Sequence, residues 1–202
     1  LTGGISVVMF LVTFAVPFIT MGLLADEKRT GTIEVLMTAP VADWEVILGK
    51  YLGALFFIIM LVVPSALHVV VVKTYGRPEW GPVISGYIGL AMVILLLSAI
   101  GLFFSSVSKS PLVAVMISFV AFLTLLVLGM VIPESAPVIE TSNVFSNVLH
   151  YAFTALRYTS LNEHYTNFAY GLINSKDMVY FLSGTVFFLF LSTLAVESRK
   201  WK

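Results

Sequence analysis

The sequence contains no cysteine and few charged residues. Of its 202 residues, 11% are Asp, Glu, Lys or Arg and 59% are hydrophobic, whereas soluble domains carry about 25% charged residues. The lack of cysteine excludes disulfides, thiolate metal ligands and a cysteine nucleophile. A soluble fold of this size could not cover so much apolar surface. We therefore expect the chain to lie in a lipid bilayer.

The motifs of several enzyme and binding classes are also missing. The formal net charge is zero and there is no basic tract, so nothing indicates nucleic-acid binding. No G-x-S-x-G occurs, and the Gly49-Lys50 pair lacks the upstream glycine and the hydroxyl of a P-loop. Glu163 and His164, which we expect on the outer side, have no further ligand at metal-binding spacing. The chain is not expected to be an enzyme by itself or to hold a metal or cofactor.

Five apolar stretches are long enough to cross a membrane, which takes about 20 helical residues. They are residues 5–25, 51–72, 83–104, 111–132 and 178–196. We predict an all-α polytopic bundle that forms a single transmembrane domain over residues 1–202. No charged residue falls within the core of any stretch. Because ion-coupled carriers usually need such groups, a passive membrane component driven by another protein is favoured.

Proline and glycine residues lie inside several of these stretches. Pro17 and Pro64 lie inside the first and second, where proline often kinks a membrane helix. Gly86, Gly89 and Gly101 in the third are interpreted as ordinary positions of close helix packing.

The charged segment (residues 26–50) separates the first two stretches and holds five of the 11 acidic residues. Its sequence is DEKRTGTIEVLMTAPVADWEVILGK. Ile33, Leu36 and Met37 recur at helical spacing, so a short amphipathic helix is predicted before Pro40. Asp43 is the predicted N-cap of the next helix, and Trp44 sits where an aromatic ring lies at a membrane interface.

The distribution of Lys and Arg predicts the orientation. Seven of the 11 basic residues fall in the charged segment, the turn at residues 105–110 and the C-terminal tail. The positive-inside rule places these three regions in the cytoplasm. It places residues 73–82 and the outer segment (residues 133–177) outside.

The outer segment is long for a loop and turns amphipathic after its prolines. Apolar residues recur at helical spacing from Val148 to Leu156. An aromatic cluster follows, formed by Tyr158, Tyr165, Phe168 and Tyr170. We predict one or two short helices that lie on the outer face or dip into it.

Residues 24–36, LADEKRTGTIEVL, resemble the E-x-R/K-x-G-T-x-E-x-L signature of ABC-2 type exporter permeases. Residues 38–41 (TAPV), 44–46 (WEV) and 48–51 (LGKY) continue the same pattern. Within this family the chain is most similar to gliding-motility-type permeases, through residues 75–82 (YGRPEWGP), 172–181 and 197–201 (ESRKW). The resemblance covers essentially the whole chain.

The resemblance implies a type V exporter fold with six spans, so that one span would precede Leu1. It implies two permease subunits, identical or different, on cytoplasmic ATPase subunits that bind ATP and Mg²⁺. A coupling helix would fall at about residues 31–39. The residues that would contact the ATPase are Glu27, Lys28, Arg29, Gly31, Thr32, Ile33, Glu34, Leu36, Met37 and Trp44.

Two functions remain open from the sequence. The first is the permease subunit of an ATP-driven exporter in the plasma (inner) membrane. The second is a membrane scaffold that uses an ABC-type ATPase to act on an extracytoplasmic accessory protein without transporting a substrate. An intramembrane enzyme is disfavoured, because no paired carboxylates and no Ser/His set lie at depth.

Overall fold

The computed structural model of the chain describes residues 2–32, 41–75, 79–131, 154–155 and 157–198. No residue in those ranges forms a strand. A 3-10 turn at Val63–Ser65 joins two of the helices. The main helices, in chain order, are α1 (Thr2–Thr20), α2 (Gly22–Thr30), α3 (Asp43–Val62), α4 (Ala66–Tyr75), α5 (Trp80–Val107), α6 (Pro111–Val131), α7 (Leu161–Ala169) and α8 (Ser175–Glu197).

Five helical stretches among the described residues are long and apolar enough to cross a membrane. They are Val7–Thr30, Asp43–Tyr75, Trp80–Val107, Pro111–Leu128 and Ser175–Glu197. One of them lies in each stretch that hydropathy singled out. The prediction of an all-α bundle with five spans is therefore confirmed.

Helix α5 lies at the centre of the bundle. It packs against α1, α2, α3, α6, α7 and α8. Within its spanning part 67% is buried, compared with 11% to 39% for the other four spans. Its sequence explains this position, because it is apolar or small on every side and contains no charged residue, and a helix that is apolar all round is a buried one.

Two glycines of α5 mark the places where neighbouring helices approach most closely. A Cβ on Gly101 would lie 2.1 Å from Thr20 Oγ1 of α1, and one on Gly89 would lie 2.6 Å from Phe168 Cβ of α7. Both distances are shorter than a van der Waals contact, so a larger residue would push the helices apart. The two positions are 12 residues apart, which is about 18 Å along the helix.

Both prolines inside the spans accompany an interruption of the helix. Pro64 lies in the 3-10 turn that separates α3 from α4. Pro17 lies in the last turn of α1, Met21 forms a turn, and α2 begins at Gly22. Since proline has no N–H and crowds the preceding turn, it accounts for the break at Pro64, whereas the interruption at Met21 lies after Pro17 and not in the turn before it.

Large apolar side chains cover the outside of the bundle, above all on α3 and α4. Phe56, Phe57 and Met60 are each more than half exposed. In water such a surface would be an interaction or aggregation patch. Against lipid tails, which are as apolar as leucine, it is ordinary contact surface.

Candidate functional site: the charged segment and the two ends of α5

The charged segment begins and ends in helices. Residues 26–30 form the end of α2 and residues 43–50 form the beginning of α3. Residues 33–40 lie outside the described part of the chain, and with them the predicted contact residues Ile33, Glu34, Leu36 and Met37. The structure shows the frame on either side of them (residues 26–32 and 41–50).

Glu27 and Lys50 join the two sides of the frame. Lys50 Nζ of α3 donates a hydrogen bond to Glu27 Oε1 of α2. The side chains of Lys50 and Glu27 are 28% and 23% exposed, so water and salt screen this ion pair less than a surface pair. The pair ties the first helical turns after residues 33–40 to the last turn before them.

A glycine ends α2 on one side of the frame. Gly31 adopts φ 76° and ψ −1°, the left-handed region that glycine enters without a steric penalty. The Thr30 and Thr32 hydroxyl oxygens lie 2.9 Å apart across it. Gly31 and Thr32 therefore lie just after the end of α2.

Ala42 caps α3 on the other side of the frame. Its backbone is extended, its carbonyl accepts from Glu45 N–H at 2.9 Å, and its own N–H donates to Glu45 Oε2 at 3.0 Å. The prediction that Asp43 is the N-cap is wrong by one residue. Because Ala42 already supplies the first helical carbonyl, Asp43 becomes the first residue of the helix, where its charge still suits the helix dipole.

Three further predicted contact residues lie on the frame with different exposure. Arg29 is largely exposed and its Nη2 lies 3.2 Å from Asp26 Oδ1. Trp44 is 56% exposed, and Lys28 is partly buried. Their contact with a partner stays a prediction.

Ser105 attaches α2 to the centre of the bundle. Its hydroxyl donates to the Met21 carbonyl at 2.8 Å and accepts from the N–H groups of Leu24 and Ala25 at 3.0 and 3.1 Å. In an unbroken helix Ala25 N–H would bond to Met21 C=O directly. The Ser105 hydroxyl stands between them, and an inserted side chain of this kind is an established cause of a helix bend.

The sequence did not reveal this role of Ser105. The sequence predicts a turn at residues 105–110, whereas α5 continues to Val107 and Ser105 is fully buried. The available signal was the serine pair at the end of an otherwise apolar span. We call the contact of Ser105 with Met21, Leu24 and Ala25 the Ser105 joint.

The other end of α5 carries a polar cluster that the sequence analysis missed. His164 of α7 is only 3% exposed, and its Nδ1 lies 2.6 Å from Asp177 Oδ1 in the first turn of α8. Its Nε2 lies 2.9 Å from the Tyr158 carbonyl oxygen, and Asn167 Nδ2 donates to Asp177 Oδ2 at 2.8 Å. We call this set, with the Tyr180 ring that stacks on His164 at 4.0 Å, the His–Asp cluster.

The structure adds detail to two expectations about the outer segment. The His164 side chain is buried within the bundle, and its place on the outer side of the membrane stays a prediction. The predicted aromatic cluster is divided, since Tyr165 and Phe168 are buried against the bundle while Tyr158 and Tyr170 are exposed. The signal that could have found the cluster was His164 and Asn167 at i, i+3 on one helix face. The residues from Val148 to Phe153 and Leu156 lie outside the described part.

Tyr165 lies on the same helix and stays neutral. Burial raises the pKa of the Tyr165 phenol to about 12, and the nearby Tyr87 adds to the shift. A neutral phenol supplies no charge to balance its neighbours. Among the described residues, no three His, Asp or Glu side chains are grouped as ligands for a metal ion.

A cavity of about 530 Å³ lies between α3 and α5. Its lining is apolar apart from the Tyr87 hydroxyl, which lies 3.1 Å from Ser65 Oγ. The lining residues are Leu55, Ile59, Val62, Val63, Ala66, Tyr87, Leu90, Ala91, Ile94 and Leu95.

Comparison with known proteins agrees with this architecture. The chain is 24% identical over 108 residues to the inner membrane transport permease YhhJ of Escherichia coli (strain K12), and equally to its Shigella flexneri counterpart. The match covers 54% of this chain and 29% of each relative. No solved structure matches the chain significantly. The family model described as "ABC-2 family transporter protein" matches residues 4–200, and the chain therefore belongs to the ABC-2 family of transporter proteins.

Proposed function

We propose that the chain is a permease subunit of an ATP-driven exporter, and that a separate cytoplasmic ATPase drives it through the charged segment. The Glu27–Lys50 ion pair carries this proposal, because it joins the two helices on either side of residues 33–40. A segment that receives a displacement from a partner must be attached firmly to the spans. A loose loop between α2 and α3 would absorb the displacement.

The frame has a short route to the rest of the bundle. The Ser105 joint attaches α2 to α5, and α3 packs against both α5 and α8. Because α5 contacts the other spanning helices, a shift of the frame alters packing throughout the domain. ATP binding and hydrolysis in the partner would supply that shift, with ATP and Mg²⁺ held by the partner.

The proposal includes an orientation and an assembly. The charged segment and the C-terminus face the cytoplasm, in keeping with the distribution of Lys and Arg. A second permease subunit, identical or different, completes the transport path. The relative's name places it in an inner membrane, and we extend that location to this chain.

Transport is favoured over the scaffold alternative. The relative is named a transport permease. A scaffold that binds an extracytoplasmic protein through the aromatic cluster would need those rings at the surface, yet Tyr165 and Phe168 are buried. Within the family we propose the gliding-motility type, on the resemblance of residues 75–82 and 197–201.

Affinity purification of the full-length protein in mild detergent tests the proposal. We expect a P-loop ATPase to copurify and its ATP hydrolysis to rise with the permease. Glu27→Lys and Lys50→Glu should each weaken the copurification of the ATPase and the stimulation of its ATP hydrolysis. The double variant should restore both quantities, because it re-forms the ion pair. Lys176→Glu at the opposite end of the bundle is the control. A well-folded sample without an ATPase, or single variants with full stimulation, would contradict the proposal.

A further inference from the structure

The His–Asp cluster is a buried polar site whose hydrogen bonds require a particular number of protons. The His164 and Asp177 side chains are each only 4% exposed. His164 Nδ1 faces a carboxylate oxygen of Asp177, and Nε2 faces the carbonyl oxygen of Tyr158. Each ring nitrogen thus faces an oxygen that can accept a hydrogen bond.

A neutral imidazole has one N–H and can serve only one of those two contacts. Both contacts are satisfied in two forms, an imidazolium beside a carboxylate or a neutral imidazole beside a carboxylic acid. The two forms contain the same number of protons and are neutral overall. Removal of that proton would set two lone pairs 2.6 Å apart or leave Nε2 unpaired. It would also leave a net negative charge in a buried site, which is costly.

The charged residue next to Asp177 along the chain is Lys176, whose side chain is exposed. Besides α8, the helices packed against α7 are α5, α6 and α1, and none of these three contains Asp, Glu, Lys, Arg or His. The titratable groups that face His164 are Asp177 and the phenols of Tyr158 and Tyr180. Glu163 on α7 is paired with Arg157 at 3.1 Å.

The cluster fixes a short helix in the bundle. α7 has nine residues and rests on α5, where Phe168 covers Gly89 and Ser85 Oγ donates to the Phe168 carbonyl at 2.7 Å. Asp177 shares a hydrogen bond with His164 and accepts one from Asn167, so one carboxyl group of α8 contacts two positions of α7 that lie one turn apart. Few other polar contacts among the described residues join α7 to α8.

We propose that the His–Asp cluster attaches α7 to α8 in a proton-dependent way, at the end of the bundle opposite the charged segment. With its proton the cluster holds α7 between α5 and α8. Loss of the proton releases α7 from α8 and opens this end of the domain. A role of this opening in the passage of a substrate rests on the proposed function, whereas the proton-dependent attachment of α7 does not.

The absence of cysteine from the chain permits a direct test with single-cysteine variants. Ser160→Cys places the reporter at the N-cap of α7, where the side chain is fully buried and the hydroxyl has no hydrogen-bond partner among the described residues. Leu172→Cys, at an exposed site between α7 and α8, corrects for the pH dependence of the thiol itself. Labelling by a thiol-reactive reagent is measured on the purified permease in lipid nanodiscs, without an ATPase.

The labelling rate of Ser160→Cys relative to Leu172→Cys should rise about tenfold when the pH is raised from about 5 to about 9. In Asp177→Asn the ratio should stay low and flat. The carboxamide can donate to Nδ1 and still accept from Asn167, while neutral His164 donates from Nε2 to the Tyr158 carbonyl, so no extra proton is needed.

Glu163→Gln is the matched control, because it removes the neighbouring titratable group from the same helix and should keep the rise of the parent chain. A flat ratio in the parent chain would overturn the proposal. An equal rise in a folded Asp177→Asn variant would overturn it as well. Since no ATPase is present, these outcomes are independent of whether the permease couples to one.

Discussion

Single residues decide how closely the spanning helices pack. Thr20 and Gly101 form the tightest such contact between α1 and α5, and both Thr20 Oγ1 and Thr20 Cβ lie within 3 Å of where a Gly101 Cβ would stand. Thr20 Oγ1 also donates to the Val16 carbonyl at 2.9 Å. Because the Cβ is fixed to the backbone, rotation of the Thr20 side chain cannot relieve the clash. The glycine is therefore required by the distance between two backbones and not by its conformational freedom.

We expect Gly101→Ala to destabilise the protein by about 1–3 kcal/mol, the usual cost of overpacking a tight contact. Thermal unfolding in detergent, followed by helical circular dichroism, measures this effect. Gly53→Ala in α3 is the control, since no atom lies within 4 Å of its future Cβ. There alanine should be neutral or stabilising by up to about 1 kcal/mol, because it favours the helix. Equal effects at the two sites would contradict the packing argument.

At the scale of elements, α2 follows a one-residue interruption of the helix at Met21. The Ser105 joint supplies hydrogen bonds to the backbone groups at this interruption. The same helix carries Glu27 at its outer end, where the ion pair to Lys50 connects it to α3. α2 is thus held at both ends, by a neutral joint inside the bundle and by a charged one at its surface.

Ser105→Ala should weaken the attachment of α2 to α5. The Met21 carbonyl and the N–H groups of Leu24 and Ala25 would lose their hydrogen bonds to the Ser105 hydroxyl in a buried site, at a cost of about 1–3 kcal/mol. If the proposed function holds, ATPase stimulation should fall by more than ATPase binding, because the frame stays intact while its attachment is lost. Titration of stimulation against permease concentration separates the two quantities.

Ser106→Ala provides the control for that experiment. Ser106 is the next residue of α5 and is also buried, but its hydroxyl donates only within its own helix, to the Phe103 carbonyl at 2.7 Å. Its removal should leave stimulation unchanged. Loss of stimulation in both serine variants would indicate a general effect on α5 and would remove the special role of Ser105.

Across the whole molecule, the features that hydropathy encodes were predictable and the contacts between helices were not. Each span is a property of about 20 neighbouring residues, so the five spans follow from local sequence. Ser105 binds groups about 80 residues away along the chain. The partners of a buried serine depend on which helix lies at the centre of the bundle. Local sequence patterns do not predict that arrangement.

The His–Asp cluster was missed for a related reason. His164 and Asp177 are 13 residues apart, and the turn at Gly171, with φ 89°, folds α7 back against α8. The outer segment was expected to lie on or dip into the outer face, and its amphipathic pattern fits either placement. The structure adds that α7 packs against Gly89 of α5, where a larger residue would clash with Phe168.

The orientation of the whole molecule is the remaining prediction, and the lack of native cysteine makes it directly measurable. Tyr75→Cys, at the end of α4, is 90% exposed and should react with a membrane-impermeant maleimide on intact cells. Arg29→Cys, on the frame, should react only after the membrane is permeabilised, because the positive-inside rule places the charged segment in the cytoplasm. The reverse pattern would put the Glu27–Lys50 pair outside the cell, where no cytoplasmic ATPase could reach it, and would remove the basis of the coupling proposal.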